Sequence, residues 1–302
     1  DWSSDVCSSD LRILDLDRAG LVALRGPALD ASILAAEGRT IVAEVFANST
    51  GIADGAHNAE VMAAHGADVI ILNFLESAWD GSGSFRFDAP GWTLPDIASF
   101  AEKVGRPIAV NLEPGDVPAQ RRATTENGKR LRDAGVAAFV VTANPWTGSA
   151  YADLVRVTSE LRTGLGDDAA IWSGKMHGAG KHELPTPEVV RAMADAGASG
   201  ILVPLPGTVP GITIELAGRA VEAAHGAGAF VLGTIGTSQE GSQPELGRSF
   251  GLAGKQAGVD AFHIGDSATY GAGDPEMVRE ISLTVRGRRH TWRRMALGAR
   301  PR

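Results

Sequence analysis

The chain has 302 residues, 44% of them hydrophobic, a formal net charge of −8 at pH 7 and one cysteine. That length supports one large buried core. The mild acidity argues against nucleic acid as the main partner, and no apolar run is long enough to span a bilayer.

The opening DWSSDVCSSDL (1–11) resembles the translation of a sequencing-adapter oligonucleotide joined to a reading frame truncated at its 5′ end, and is set aside from the fold. It holds Cys7, so the remainder has no cysteine for a disulfide, a thiolate nucleophile or a metal site. Without Asp1, Asp5 and Asp10 the net charge is −5. No basic stretch followed by an apolar one marks a secretory signal, so a cytoplasmic location is expected. Residues 12–39 carry a short helical pattern (LVAL, then SILAAEG), expected to cover the bottom of the domain that follows.

From residue 40 one phrase recurs: a small-residue helix end, a glycine, then a β-branched run. It reads HGADVIIL (65–72), AGVAAFVV (134–141), AGASGILV (196–203), AGAFVL (227–232) and AGVDAFHI (257–264). Glycine closes a helix because it accepts the left-handed conformation without a Cβ clash. The apolar run suits a parallel strand buried on both faces. Strands are predicted at 40–48, 67–74, 106–113, 136–144, 169–177, 199–206, 229–236 and 259–266. Helices are predicted near 57–66, 95–105, 121–135, 149–164, 186–197, 211–227, 243–257 and 274–286. This alternation predicts an α/β fold, a closed (β/α)₈ TIM barrel over 40–290. The connection 74–93, with Trp79, Phe85, Phe87 and Trp92, is expected to be a lid over the active site. The basic tail 291–302 is expected to be a solvated terminus or a contact with a neighbouring subunit, so a homo-oligomer stays open.

Side chains alternate along a strand, and barrels keep their active sites at the C-terminal mouth. Parity places Ser173, Lys175 and His177 on one face, expected to be inward. The same test turns Glu44, Asn48, Asn73, Asn111, Glu113, Thr142, Asn144, Thr234 and His263 inward, with Asp266 just beyond. Burying so many polar groups is costly unless they are paired or used. Lys175 is the first catalytic candidate, because a buried lysine suits Schiff-base or general-base work. Glu113, Glu44, His177 and His263 are the other catalytic candidates. Asn48, Asn73, Asn111, Thr142, Asn144, Ser173 and Thr234 are candidates for orienting a substrate.

The loops PGTVPG (206–211), GTSQEG (236–241) and GDSATYG (265–271) are glycine-rich. Such loops cradle phosphate in many barrels. Gly207, Gly236, Thr237, Ser238, Gly265 and Ser267 are the expected donors, with Glu240 and Asp266 as unfavourable neighbours. No cofactor is identified. A divalent metal is left open, with Glu44, Glu113, His177, His263 and Asp266 as candidate ligands, and HGAGKH (177–182) adds a second histidine. GSGSFR (81–86) lacks the third glycine of a dinucleotide fingerprint. DLDRAG (15–20) lacks the threonine and the preceding strand of an aspartyl-nucleophile motif.

The joint set VNLEP (110–114), TANPWTG (142–148), SGKMHGAG (173–180), PLPGTVPGI (204–212), IGTSQEG (235–241), HIGDS (263–267) and RGRRHTWRRMA (286–296) resembles an uncharacterised bacterial TIM-barrel family. Its members are often labelled haloacid-dehalogenase-like or phosphoenolpyruvate-phosphonomutase-like. The resemblance implies a TIM barrel and brings no reaction with it. More loosely, the chain is similar to phosphate-binding barrels.

The leading expectation is a lyase or isomerase acting on a small anionic carbonyl compound, phosphorylated or not, by proton transfer beside the carbonyl. A metal-dependent hydrolase is the alternative, although the first strand lacks an H-x-H. A non-catalytic ligand-binding or assembly barrel is the third reading.

Overall fold

A computed structural model of the chain describes residues 11–79, 85–87, 91–178, 183–268 and 270–297. Eight parallel strands form a closed ring. They are β1 (Thr40–Phe46), β2 (Val69–Asn73), β3 (Ile108–Leu112), β4 (Ala138–Val141), β5 (Ile171–Gly174), β6 (Gly200–Pro204), β7 (Phe230–Ile235) and β8 (Ala261–Ile264). β8 pairs with β1, Val42 opposite His263, and this closes the barrel. Every predicted strand is present. Each is shorter than expected, because residues past the ladder leave it to build the mouth.

The surrounding helices are α3 (Asn58–Ala64), α4 (Ile97–Val104), α5 (Thr125–Asp133), α6 (Tyr151–Leu165), α7 (Pro187–Asp195), α8 (Ile214–Gly226), α9 (Leu246–Ala257) and α10 (Pro275–Ala296). Asp96, Thr124, Thr213 and Asp274 cap α4, α5, α8 and α10 by accepting first-turn backbone N–H bonds. Each such cap contributes about 1 kcal/mol. None of these helices is long and apolar enough to cross a membrane.

The floor of the barrel is a plug from the N-terminal segment, α1 (Arg18–Ala23) and α2 (Gly26–Leu34). Ile13, Leu21, Leu29 and Ile33 are fully buried there and share one cluster with the inward Val42, Ile71, Val140 and Leu202. Trp172 also points inward, edge-on to Phe230 at 5.5 Å, and its Nε1 donates to Asp30 of α2 at 2.8 Å. Gly200 makes room for both rings; a Cβ there would lie 2.6 Å from Phe230 and 2.8 Å from Trp172. Leu11 already joins this floor, its carbonyl accepting from Ser32 Oγ at 2.8 Å. The rest of the leading segment lies outside the described residues. Asp15 pairs with Arg12 and Asp17 caps α1, so DLDRAG is a floor connection with no strand before it among the described residues.

The basic C-terminus is not a free tail. α10 bends at Gly287 (φ 71°, ψ 174°) and continues to Ala296. Arg286 and Arg294 then meet at buried Asp68, at 2.5 and 2.7 Å. Asp68 also accepts from the Ile41 N–H at 2.8 Å. Arg294 donates to the Ile13 carbonyl at 2.6 Å, which ties the C-terminus to the floor plug. Residues 298–302 lie outside the described residues.

Trp79, Phe85, Phe87 and Trp92 of the connection after β2 do not line the cavity at the mouth as a lid would. All four are buried. Phe87 and Trp92 pack with His57 and with Phe100 of α4, Trp92 stacking on the His57 ring at 4.9 Å. His57 caps α3 and bonds the Ala47 carbonyl at 3.0 Å, so the cluster fixes the start of that helix. Residues 80–84 and 88–90 of this connection lie outside the described residues.

Asp68 is the test of the floor. Asp68→Ala leaves two guanidinium groups buried without their carboxylate, and urea unfolding is expected to show a loss of about 3–5 kcal/mol. A loss under about 1 kcal/mol would mean that the arginines are held by carbonyls alone.

Candidate active site

The strand ends converge on a cavity of about 470 Å³ lined by Glu44, Asn73, Asn144, His177 and Asp266 among others. Phe46 and Phe74 form one wall, their rings edge-on at 4.6 Å. Two lining residues, Phe74 (φ 53°) and Ser238 (φ 73°), hold left-handed backbone. For non-glycine residues such strain tends to gather at functional sites.

Glu44 is 1% exposed and His263 0%. His263 Nε2 lies 3.1 Å from Glu44 Oε2, beneath the cavity floor. Burial, then Glu113 and Glu240, push the Glu44 carboxyl up to about 8. Burial pulls the His263 imidazole down to about 4, against Asp266 and Glu240. Both shifts favour a neutral acid beside a neutral imidazole. Asp266 is raised well above its ordinary value by burial and by Glu44.

A relay of amides supports Asp266. Thr142 Oγ1 donates to Asn111 Oδ1 at 2.7 Å, Asn111 Nδ2 to Asn73 Oδ1 at 2.9 Å, and Asn73 Nδ2 to Asp266 Oδ2 at 2.9 Å. Glu44 Oε1, His263 Nδ1, Thr234 Oγ1 and Glu240 Oε2 are buried with no hydrogen-bond partner among the described residues. Open buried atoms of this kind are rare in a finished core.

Other expected site residues do different work. The β5 parity is the reverse of the sequence expectation. Trp172 takes the inward place, so Ser173 points outward and accepts from Thr158 of α6 at 3.0 Å. Lys175 follows that outward face; its ammonium lies 5.7 Å from the Tyr151 ring centre and does not line the cavity. His177 does line it, with its pKa lowered to about 4 by burial and by Lys175. Glu113 is occupied by the Asn144 backbone N–H (3.0 Å) and side-chain amide (2.5 Å) and by Arg121 (3.2 Å), which also reaches Glu76. Asn48 lies outside the mouth, where its amide clamps the carbonyls of Ser77 and Arg86.

Gly236, Thr237, Ser238, Gly265 and Ser267 line the cavity, and Gly207 does not. The Ser267 N–H already donates to Glu240 Oε1 at 3.1 Å. Glu240 stands in the sequence as a mere obstacle to phosphate; in the fold it is fully buried. Among the described residues no group of three His, Cys, Asp or Glu side chains is arranged to hold a metal ion. The candidate ligands therefore meet only in part: Glu44, His263 and Asp266 are neighbours, whereas Glu113 is tied to Asn144 and Arg121. Lys181 and His182 lie outside the described residues.

Residues 14–300 match the DUF7916 family, described as a domain of unknown function. The chain belongs to that family. No curated protein matches it. Among solved structures, the DUF7916 barrel is similar to a Coccidioides immitis chain proposed as a fructose-1,6-biphosphate aldolase, at 13% identity over 91% of this chain and 96% of that one, TM-score 0.50. It is similar to deoxyribose phosphate aldolase from Aeropyrum pernix, at 14% identity over 83% and 92% of the two chains, TM-score 0.48. It is also similar to 2,3-dimethylmalate lyase, a PEP mutase/isocitrate lyase superfamily member, at 19% identity over 82% and 81%, TM-score 0.47. These likenesses concern the barrel fold. The haloacid-dehalogenase-like label has no counterpart among these findings, in keeping with the placement of Asp15 and Asp17 in the floor.

The mouth predicts a pH signature. The unfolded chain ionises Glu44 near its ordinary 4.5, the folded chain only near 8, so rising pH in that window favours unfolding. His263 works in the opposite direction, but only between about 4 and its ordinary 6.5. Between 6.5 and 8 the Glu44 effect is unopposed by His263, and stability is expected to fall by up to about 1.4 kcal/mol per pH unit from this group. Urea unfolding at both ends of that window should show a flatter slope for Glu44→Gln. An unchanged slope would assign the titration elsewhere.

Proposed function

We propose that this barrel is an acid–base enzyme of the lyase or isomerase type, moving a proton beside the carbonyl of a small polar substrate. One observation carries the reading: Glu44 faces the cavity, keeps its proton to about pH 8 and has one carboxyl oxygen without a partner. General acids at neutral pH need this tuning.

With the imidazole proton on Nε2 and donated to Glu44 Oε2, the acid proton sits on Oε1, directed at a bound carbonyl oxygen. Asp266 shares the cavity, and Glu44 raises its pKa, so the two acids titrate as a coupled pair. Its first ionisation leaves one carboxylate base beside one carboxylic acid. The base removes a proton from the carbon next to the carbonyl, or from a hydroxyl one carbon further on. In the first case the electron pair moves into an enol as Glu44 protonates the oxygen. In the second the C–C bond breaks and the enol leaves as a separate product. His263 is a positioning residue that fixes the Glu44 rotamer. The Asn73–Asn111–Thr142 relay orients Asp266. Lys175 has no part in this reading, because its amine packs against Tyr151.

The test needs no prior substrate. Small hydroxy-ketones and 2-oxo acids are incubated with the protein in D₂O, and loss of the α-proton signal or C–C cleavage is followed by NMR. Protein-dependent exchange is expected for at least one compound. Glu44→Gln should reduce its rate by about a hundredfold or more. Exchange at the wild-type rate in Glu44→Gln would remove Glu44 from the chemistry.

A further inference from the structure

The loops after β7 and β8 close around one buried side chain, the carboxyl of Glu240. Ser267 N–H donates to Glu240 Oε1 at 3.1 Å. Burial pushes the Glu240 carboxyl above its ordinary pKa, and the backbone N–H groups of Glu240, Ser267 and Ser238 act against that rise. Ser238 has positive φ, a conformation that turns successive N–H groups to one side and makes an anion-binding hollow. Two glycines admit the side chain. A Cβ on Gly265 would lie 3.3 Å from Glu240 Oε1 and 2.7 Å from the Ile235 carbonyl, and one on Gly273 would lie 3.5 Å from Glu240 Cβ. The Asp274 N–H holds the Glu240 carbonyl at 2.8 Å, so the residue is fixed at both ends. The side chain is 0% exposed, and its second oxygen, Oε2, has no partner among the described residues.

We infer that Glu240 is a specificity residue, a built-in carboxylate that occupies the phosphate seat of the barrel mouth and restricts the site to substrates without a phosphate group at that end. A phosphate brought here finds the Ser267 N–H already held by a fixed carboxyl group, which it would have to displace. The remaining lining agrees: among the described residues that line the cavity there is no lysine or arginine. The substrate class is thus a small hydroxy- or oxo-carbonyl compound without a phosphate group, reached by Glu44. The phosphorylated substrate suggested by the glycine-rich loops is not the one this mouth fits. This inference rests on the acid–base reading for the word substrate, but the occupied seat stands on geometry alone.

The experiment measures binding of inorganic phosphate by calorimetry to the full chain and to Glu240→Ala. The wild type is expected to show no binding at millimolar phosphate. Glu240→Ala should bind about tenfold more tightly or better, because the vacated N–H groups then take a charge-assisted bond. Millimolar binding by the wild type, or a folded Glu240→Ala that gains nothing, overturns the inference. If Glu240→Ala does not fold, Glu240→Ser carries the same expectation, since its hydroxyl accepts from the backbone while leaving space. These outcomes are independent of proton exchange: loss of the acid–base reading leaves the phosphate result as it is, and the reverse.

Discussion

The mouth of this barrel is governed by the cost of burying carboxyl groups without cations. Glu44, Asp266 and Glu240 are all buried; Glu44 raises the pKa of Asp266, and Glu240 raises both of the others. An unpaired buried charge costs several kcal/mol. Each acid meets that cost differently. Glu44 keeps its proton and leans on a neutral imidazole. Asp266 takes the amide of Asn73. Glu240 sits among backbone N–H groups. Protonation, amide donation and backbone donation are distinct means, and they distinguish the two acids that line the cavity, Glu44 and Asp266, from Glu240 behind its wall.

The floor solves the same problem with full charges. Asp68 stands between Arg286 and Arg294 and also takes the Ile41 N–H. Removing either sign there leaves the other stranded, so the arrangement is rigid. That knot joins β1, β2 and α10, and through Arg294 the N-terminal plug. The molecule is therefore polarised: buried ion pairs below, buried acids without cations above. A barrel conventionally separates stability from chemistry along this axis.

Much of the barrel was legible in the sequence because its signals are local. The Gly-plus-β-branched phrase depends only on helix termination and strand burial, and it located β2, β4, β6, β7 and β8. Glu44, Asn73, Asn111, Thr142, Thr234 and His263 follow from strand parity where the alternation is regular. Parity failed at β5, because a polar serine was assumed to seek the mouth. The deciding partner was Gly200 on the neighbouring strand, which makes space for Trp172 inside and sends Ser173 and Lys175 outward. That is a non-local contact with no trace within the strand itself. The aromatic connection misled for a similar reason: its rings are matched by His57 and Phe100, far off in sequence. Glu240 was visible, yet its role depends on the Ser267 N–H and on two glycines from the next loop.

The claim on which the account turns is that Glu44 is a neutral acid at neutral pH. Infrared difference spectroscopy of the wild type against Glu44→Gln reads this directly, since a protonated carboxyl and a carboxylate absorb separately. The account predicts a protonated carboxyl band at pH 7, lost in Glu44→Gln and titrating near pH 8. A carboxylate band at pH 7, with its midpoint near the ordinary 4.5, would contradict it.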